Sequence, residues 1–218
     1  MSLTWSSPAL SKTSQSRRSG RVVVAAVAVA SLAGTVGLAP EPDAVPRRWQ
    51  LDVTFSPLRI FSADIEGKGA KSFFYLTYQV SNNSGKDVLF APSFDLVTGD
   101  KPIRSGRDVP GEVTKSIMNR SQNPLIQDQI SILGNILQGT ENAKAGVVVW
   151  LADNLQPDRM VVYAAGFSGE TASVKPPAGV GEPILLRKTK MLRYEIKGEL
   201  VGQGESPIVT VEDRWIMR

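Results

Sequence analysis

The sequence predicts an all-β domain: an antiparallel β-sandwich with one helical insertion, preceded by an N-terminal export segment. Three observations predict it. Apolar–polar alternation of period two recurs from residue 49 to residue 217. Turns rich in Gly, Asn and Pro separate the alternating runs. The one stretch with helical spacing, about 109–138, lies between strands.

The first element is the export segment. Ser16-Arg17-Arg18-Ser19-Gly20-Arg21 precedes the uncharged apolar run "VVVAAVAVASLAGTVGLA", residues 22–39. A basic flank followed by such a run is an export signal pattern. Small residues at Ala28-Val29-Ala30 and Ser31-Leu32-Ala33 suit cleavage. The run of about 18 residues also reaches the length of a membrane span, so an uncleaved anchor with its basic end inside is the alternative. Residues 1–39 are therefore a signal peptide or an anchor, 40–48 a short linker, and 49–218 the folded body.

The body opens with "WQLDVTFS", 49–56. Trp49, Leu51, Val53 and Phe55 face one way and Gln50, Asp52, Thr54 and Ser56 the other. In "SFFYLTYQVSNNSGKDVLF", 72–90, Phe74, Leu76, Tyr78 and Val80 share a face. Phe73, Tyr75, Thr77 and Gln79 share the opposite one. Asn82-Asn83-Ser84-Gly85 supplies turn chemistry, which predicts a hairpin with "KDVLF" returning as the partner strand. "SFDLV", 93–97, is a third short strand. "AGVVVWLA", 145–152, is apolar on both faces and predicts a central strand covered on both sides. "MVVYAAGF", 160–167, follows the turn at 153–158. Leu192, Tyr194 and Ile196 alternate with Arg193, Glu195 and Lys197. "PIVTVEDRWIM", 207–217, closes the chain, with a bulge expected where alternation weakens at Glu212-Asp213. The total is eight or nine strands.

Within 109–138, Pro110 stands at a helix-start position with Asp108 nearby as a cap. Val113 and Ile117 are four apart. Leu125, Ile126, Ile130, Leu133 and Ile136 or Leu137 also repeat at helical spacing. Asn123-Pro124 divides the segment into two short helices, a crossover lying over one end of a sheet.

"YLTYQVSNNSGKDVLF" resembles a stretch of immunoglobulin-like extracytoplasmic bacterial domains, in which a Tyr-x-Val-x-Asn strand end meets a polar Gly turn. "QGTENAKAGVVVW" resembles a second element of those domains: a Gly-x-Glu-type turn, then a Gly and a central apolar strand. The positions here are Gly139, Glu141, Gly146 and Val147–Trp150. Gln138-Gly139 stands where Pro-Gly is usual. The resemblance covers about residues 70–165. It implies an immunoglobulin-like sandwich and an extracytoplasmic address: periplasmic, cell-surface or secreted. It implies no reaction and carries over no site residue.

Composition narrows the chemistry. The 218 residues carry a net charge of +4, and Lys12, Arg17, Arg18 and Arg21 supply it, because residues 41–218 balance 21 bases with 21 acids. A body without basic excess gives nucleic-acid binding no electrostatic footprint. The chain has no cysteine, hence no disulfide, thiolate metal site or lipidated cysteine anchor. It has no histidine, which removes the commonest general base and zinc ligand and every Ser-His pair. "GFSGE", 166–170, places its second Gly too early for a nucleophile elbow, and no histidine exists to activate Ser168. No phosphate loop or dinucleotide fingerprint occurs.

Weaker candidates remain. Asp64, Glu66, Asp95 and Asp100 lie in or near turns that could meet Ca²⁺, although a solvated loop is the simpler account. Asn82-Asn83-Ser84 and Asn119-Arg120-Ser121 match the glycosylation pattern. Trp49, Trp150 and Trp215 could form a carbohydrate platform, with core packing as the default. No pair of carboxylates stands out for glycoside hydrolysis.

The expectation is a non-catalytic exported module that binds another envelope or secreted protein, with no catalytic, cofactor or metal residue assigned. Its membrane contact would run only through residues 22–39. A glycan or small-ligand module is the alternative, and a carboxylate-dependent hydrolase a third.

Overall fold

The computed structural model describes residues 39–45, 48–99, 101–157, 159–177, 179–196, 200 and 206–218. Apart from Ala39, the expected export segment lies outside them. Among the described residues no helix is long and apolar enough to cross a membrane.

In chain order the elements begin with β1 (Asp52–Phe55), β2 (Arg59–Ile65), β3 (Gly69–Asn82), β4 (Val88–Phe90), β5 (Ser93–Val97) and β6 (Pro102–Arg104). The helix α1 (Gly111–Arg120) follows, then β7 (Ile126–Gln127), β8 (Gly134–Ile136), β9 (Gly139–Leu151) and β10 (Met160–Ala165). The last three are β11 (Thr171–Val174), β12 (Ile184–Tyr194) and β13 (Thr210–Met217). Three strands that the sequence does not suggest, β6, β7 and β8, span only two or three residues, too short to show alternation.

β3 is the spine of a five-stranded sheet. One edge of it pairs with β9. The other takes β2 along its first half, from Ile65↔Gly69 to Arg59↔Tyr75, and β1 along its second, from Phe55↔Tyr78 to Asp52↔Ser81. Pro57 breaks the ladder between β1 and β2 because it has no N–H to donate. Ser56 bridges the gap: its Oγ accepts the Thr77 N–H at 2.9 Å, and its own N–H donates to the Thr77 carbonyl at 2.9 Å. β7 joins the far edge of β9 in parallel.

The second sheet has six strands, with β10 between β5 and β12, β6 beyond β5, and β13 on the other side of β12. β11 continues the β10 side of β12. The sheets face each other as an antiparallel sandwich. Phe74, Leu76, Val148 and Trp150 from the first meet Phe94, Leu96, Val162 and Leu192 from the second, all buried. Phe167 packs at 5.2–5.9 Å, edge-on, against Phe55, Tyr78, Phe90 and Phe94. Edge-on packing sets the positive rim of one ring against the negative face of the next.

The outer face of the first sheet is also covered. Val113 and Ile117 of α1 pack on Phe61, Phe73, Ile126, Val147 and Val149. β9 is therefore apolar on both faces, as expected, because the sandwich core lies on one side and α1 on the other. Thr77 and Gln79 lie beyond that outer cluster, so the outward face of β3 turns polar along its length.

Three expectations are corrected. Asn82-Asn83-Ser84-Gly85 does turn the chain, with Gly85 at φ 87°. "KDVLF" does not return along β3, whose edges are taken by β1, β2 and β9. β4 instead pairs with β8 in a separate two-stranded ladder, Val88↔Ile136 to Phe90↔Gly134. The hairpin partner of β3 is β2, across a turn with Gly67 at φ 71°.

The second correction concerns 109–138, where only Gly111–Arg120 is helical. Pro110 occupies the N-cap, without a side-chain cap bond, and Asp108 sits at φ 57° rather than capping. The spacing of Leu125, Ile130, Leu133 and Leu137 does not mark a buried stripe, since all four are exposed while Ile126, Ile132 and Ile136 are buried. Asp128 turns the chain there. Its carboxylate accepts the N–H groups of Ile130 and Ser131 and the Ser131 hydroxyl, at 2.8–2.9 Å. Desolvation opposes its ionisation, but these bonds outweigh it and hold its pKa below the ordinary carboxylate value.

The third is small. The bulge near the C-terminus falls one residue earlier than expected: Arg193 pairs with Glu212 and Tyr194 with Thr210, leaving Val211 as the extra residue.

Candidate functional site

The site begins with the length of β12. Period-two alternation puts Lys188, Lys190, Leu192 and Tyr194 on its inward face. Their partners on β13 are Met217 for Lys188, Trp215 for Lys190 and Asp213 for Leu192. Leu192 and Tyr194 belong to the core. At the other end of the strand, beside Lys188, the cover is a short segment instead, Ala39–Ala44. Between the segment and the sheet lies a groove of about 800 Å³, lined also by Gln50, Lys188, Arg214, Trp215 and Met217.

A buried ion pair holds the segment in place. Lys188, 2% exposed, sets its Nζ 2.8 Å from Glu170 Oε2. The other carboxylate oxygen of Glu170 accepts the Asp43 N–H at 2.8 Å. Lys188 Nζ also donates to the Asp43 carbonyl at 3.2 Å. One acid and one base thus take both main-chain groups of a single residue, as a neighbouring strand would. Glu170 is placed by the turn before β11, where its own carbonyl accepts the Lys188 N–H at 3.0 Å.

Aromatic and polar groups complete the groove. Lys188 Nζ lies 5.6 Å and Lys190 Nζ 5.1 Å from the Trp215 ring centroid. The negative face of an indole suits cations at such distances. Lys190 also pairs with Asp213. Gln50 Oε1 is buried with no hydrogen-bond partner among the described residues.

The three tryptophans do not act alike. Trp150 is fully buried in the core, edge-on to Phe94. Trp49 is half-buried, packed on the core and close against Gly169. Trp215 alone lines the groove. The acids weighed for Ca²⁺ are dispersed. Asp64 lies in β2 and Glu66 in the following turn, while Asp95 in β5 binds Arg104 at 3.1 Å and Arg218 at 3.0 Å. Asp100 lies outside the described residues, among which no three acids are grouped to hold a metal.

Ser168 is a turn residue. Its Oγ bonds the Trp49 carbonyl at 3.3 Å and accepts the Glu170 N–H at 3.2 Å. Asn82, first residue of a glycosylation pattern, is fully buried, whereas Asn119 of the other is exposed on α1. Gly139 opens β9 at φ 108°, beside the Glu141 carboxylate, and Gly146 lies under Tyr78.

A second cavity, of about 510 Å³, lies between α1, the loop at 128–131 and the outer face of β9. Val147 and Val149 line it. Ser105 Oγ and Gln129 Oε1, on two other lining residues, are buried without a partner among the described residues.

The groove was readable in part. Extending the Leu192–Tyr194 alternation back along "RKTKMLRY" places Lys190 and Lys188 on the apolar face, and an inward lysine on a strand signals a special contact. Nothing local links them to Glu170 or Asp43, which lie 18 and 145 residues away. Comparison with known proteins finds no matching family model, no matching curated protein and no matching solved structure.

Proposed function

We propose that this chain is an exported, non-catalytic β-sandwich module that binds another envelope or secreted protein through the groove beside Trp215. The observation that carries the proposal is the Glu170–Lys188 pair. A buried ion pair is costly to desolvate and is weak evidence of stability on its own. Here it recognises main chain, which any extended protein segment presents. The basic flank and apolar run of residues 16–39 support the extracytoplasmic address.

The test is affinity isolation of C-terminally tagged protein from its native host, with wild type and Trp215→Ala in parallel and thermal melts confirming that both fold. The expected result is one stoichiometric partner with wild type that the variant loses. No partner, or an identical set with both proteins, contradicts the proposal. Intact mass of the recovered protein separates a cleaved signal from a retained anchor.

The second cavity supports a second reading, a small-ligand module. Ser105 and Gln129 offer buried polar atoms above an apolar floor, the usual lining of a small-molecule site. Ligand-observed NMR with a fragment library tests it: hits should vanish in a Val149→Trp variant. Hits that persist unchanged place the ligand elsewhere.

A further inference from the structure

Burial gives the second cavity a floor and a mouth. Ser105, Val147 and Val149 are buried, while Gly111, Lys115 and Ser131 are exposed. Helix α1 supplies one wall. Gly111, Thr114, Lys115 and Met118 follow helical spacing along one face, and Val113 and Ile117 turn instead to the sheet. Gly111 keeps the mouth open, since a Cβ there would meet no atom within 4 Å.

The floor is polar at one end. Ser105 is 3% exposed, and its Oγ has no hydrogen-bond partner among the described residues. The next residue, Gly106, is held against β9 by its N–H, which donates to the Val149 carbonyl at 2.8 Å. Gly106 has φ 75°, and a Cβ on it would stand 3.3 Å from Gln129 Oε1. That oxygen, too, is buried without a partner among the described residues. A hydroxyl and an acceptor oxygen are thus left open at the 105–106 turn, in a space of about 510 Å³ floored by valine.

No charge is free at that end. Lys115 and Asp128 are the charged residues of the lining. Lys115 is exposed, and the Asp128 carboxylate already accepts three hydrogen bonds from its own loop. An ionised ligand group on the floor would lose its water and gain no counter-charge. An N–H or O–H of an uncharged ligand would give Gln129 Oε1 the donor it lacks, and a buried acceptor left unmet is costly.

We propose that this cavity binds an uncharged, largely apolar small molecule bearing a hydroxyl or N–H, which donates to Gln129 Oε1 while the apolar body rests on Val147 and Val149. Ser105 is the second polar contact at the same end. This rests on the small-ligand reading and names the class of ligand.

The experiment titrates the full-chain protein at neutral pH with three matched probes: thymol, p-cymene and cuminate. They share an isopropylbenzene body and carry a hydroxyl, no polar group and a carboxylate. Amide NMR shifts of Val147 and Val149 report occupancy, and the Gln129 side-chain NH2 signal reports the polar contact. Thymol should bind at least about tenfold tighter than p-cymene, because a site that reads a hydroxyl rejects the analogue without it. Cuminate should bind more weakly than thymol. Gln129→Leu should abolish the preference for thymol, and Gly111→Leu, which narrows the mouth, should weaken its binding. Equal or tighter binding of p-cymene or cuminate to wild type overturns the proposal, a comparison that needs no variant to fold. A preference for thymol that survives in a folded Gln129→Leu overturns it as well. No binding of thymol also overturns it: the small-ligand reading then stands if library hits still depend on Val149, and falls with it if they do not.

Discussion

The Tyr78 ring lies across Gly146, its direct partner on the β3–β9 ladder: a Cβ on Gly146 would come within 2.5 Å of Tyr78 Cζ and 2.7 Å of Ile132 Cδ1. The glycine is a matter of space. Gly146→Ala should lower stability by about 1–3 kcal/mol, the usual penalty for overpacking a core. A urea melt measures it. An unchanged midpoint would mean that the aromatic layer yields freely.

The same tyrosine predicts an alkaline effect. Its hydroxyl is buried with no hydrogen-bond partner among the described residues, and burial pushes the phenol pKa well above its ordinary 10.0. A pKa raised by folding favours the protonated phenol in the fold. The associated stability is complete below the unfolded pKa and is lost as pH rises beyond it. Tyr78→Phe should therefore be as stable as wild type at pH 7 and lose less stability above pH ~10. Identical alkaline melting curves would contradict this.

Asn82 explains the joint between β3 and β4. Its Nδ2 donates to the carbonyls of Lys86 and Ile136 at 2.8 and 2.9 Å, and its Oδ1 accepts the N–H and hydroxyl of Ser84. Asn82→Ala strands those carbonyls and should cost about 1–3 kcal/mol. Asn82→Asp should cost more at neutral pH, because a carboxylate would face two carbonyl oxygens. Chemical denaturation of the three proteins ranks them, and an aspartate variant equal to wild type would refute the arrangement.

Removing one member of the Glu170–Lys188 pair leaves a buried charge without its partner. Glu170→Ala alone should cost about 3–5 kcal/mol, and Glu170→Leu with Lys188→Met much less, since no charge is then buried. The comparison is again by denaturation. A double variant that loses as much stability as Glu170→Ala, or more, would show that the two charges do not depend on each other.

Strands were legible where one rule governed them. Ser93–Val97 matches its expected bounds because a single face meets the core. β9 was recognisable by the opposite pattern, apolar on both faces. β2 escaped because Ile60 enters the main core while adjacent Phe61 enters the cluster under α1, which disguises the alternation. The partner of β4 was unreadable for a different reason: turn residues fix a bend, whereas pairing with β8 depends on which edges are already taken. Between Leu125 and Leu137, helical spacing arose from residues that serve separate purposes, some buried and some exposed. The groove needs three segments far apart in sequence, so only its lysines left a local trace.

The most direct test of the account is hydrogen exchange at the Asp43 amide. In wild type, the bond to Glu170 should protect this N–H against exchange, and Glu170→Ala should remove the protection while core amides of β9 stay protected. An Asp43 amide that already exchanges at the unprotected rate in wild type would contradict the clamp, and with it the assignment of the groove.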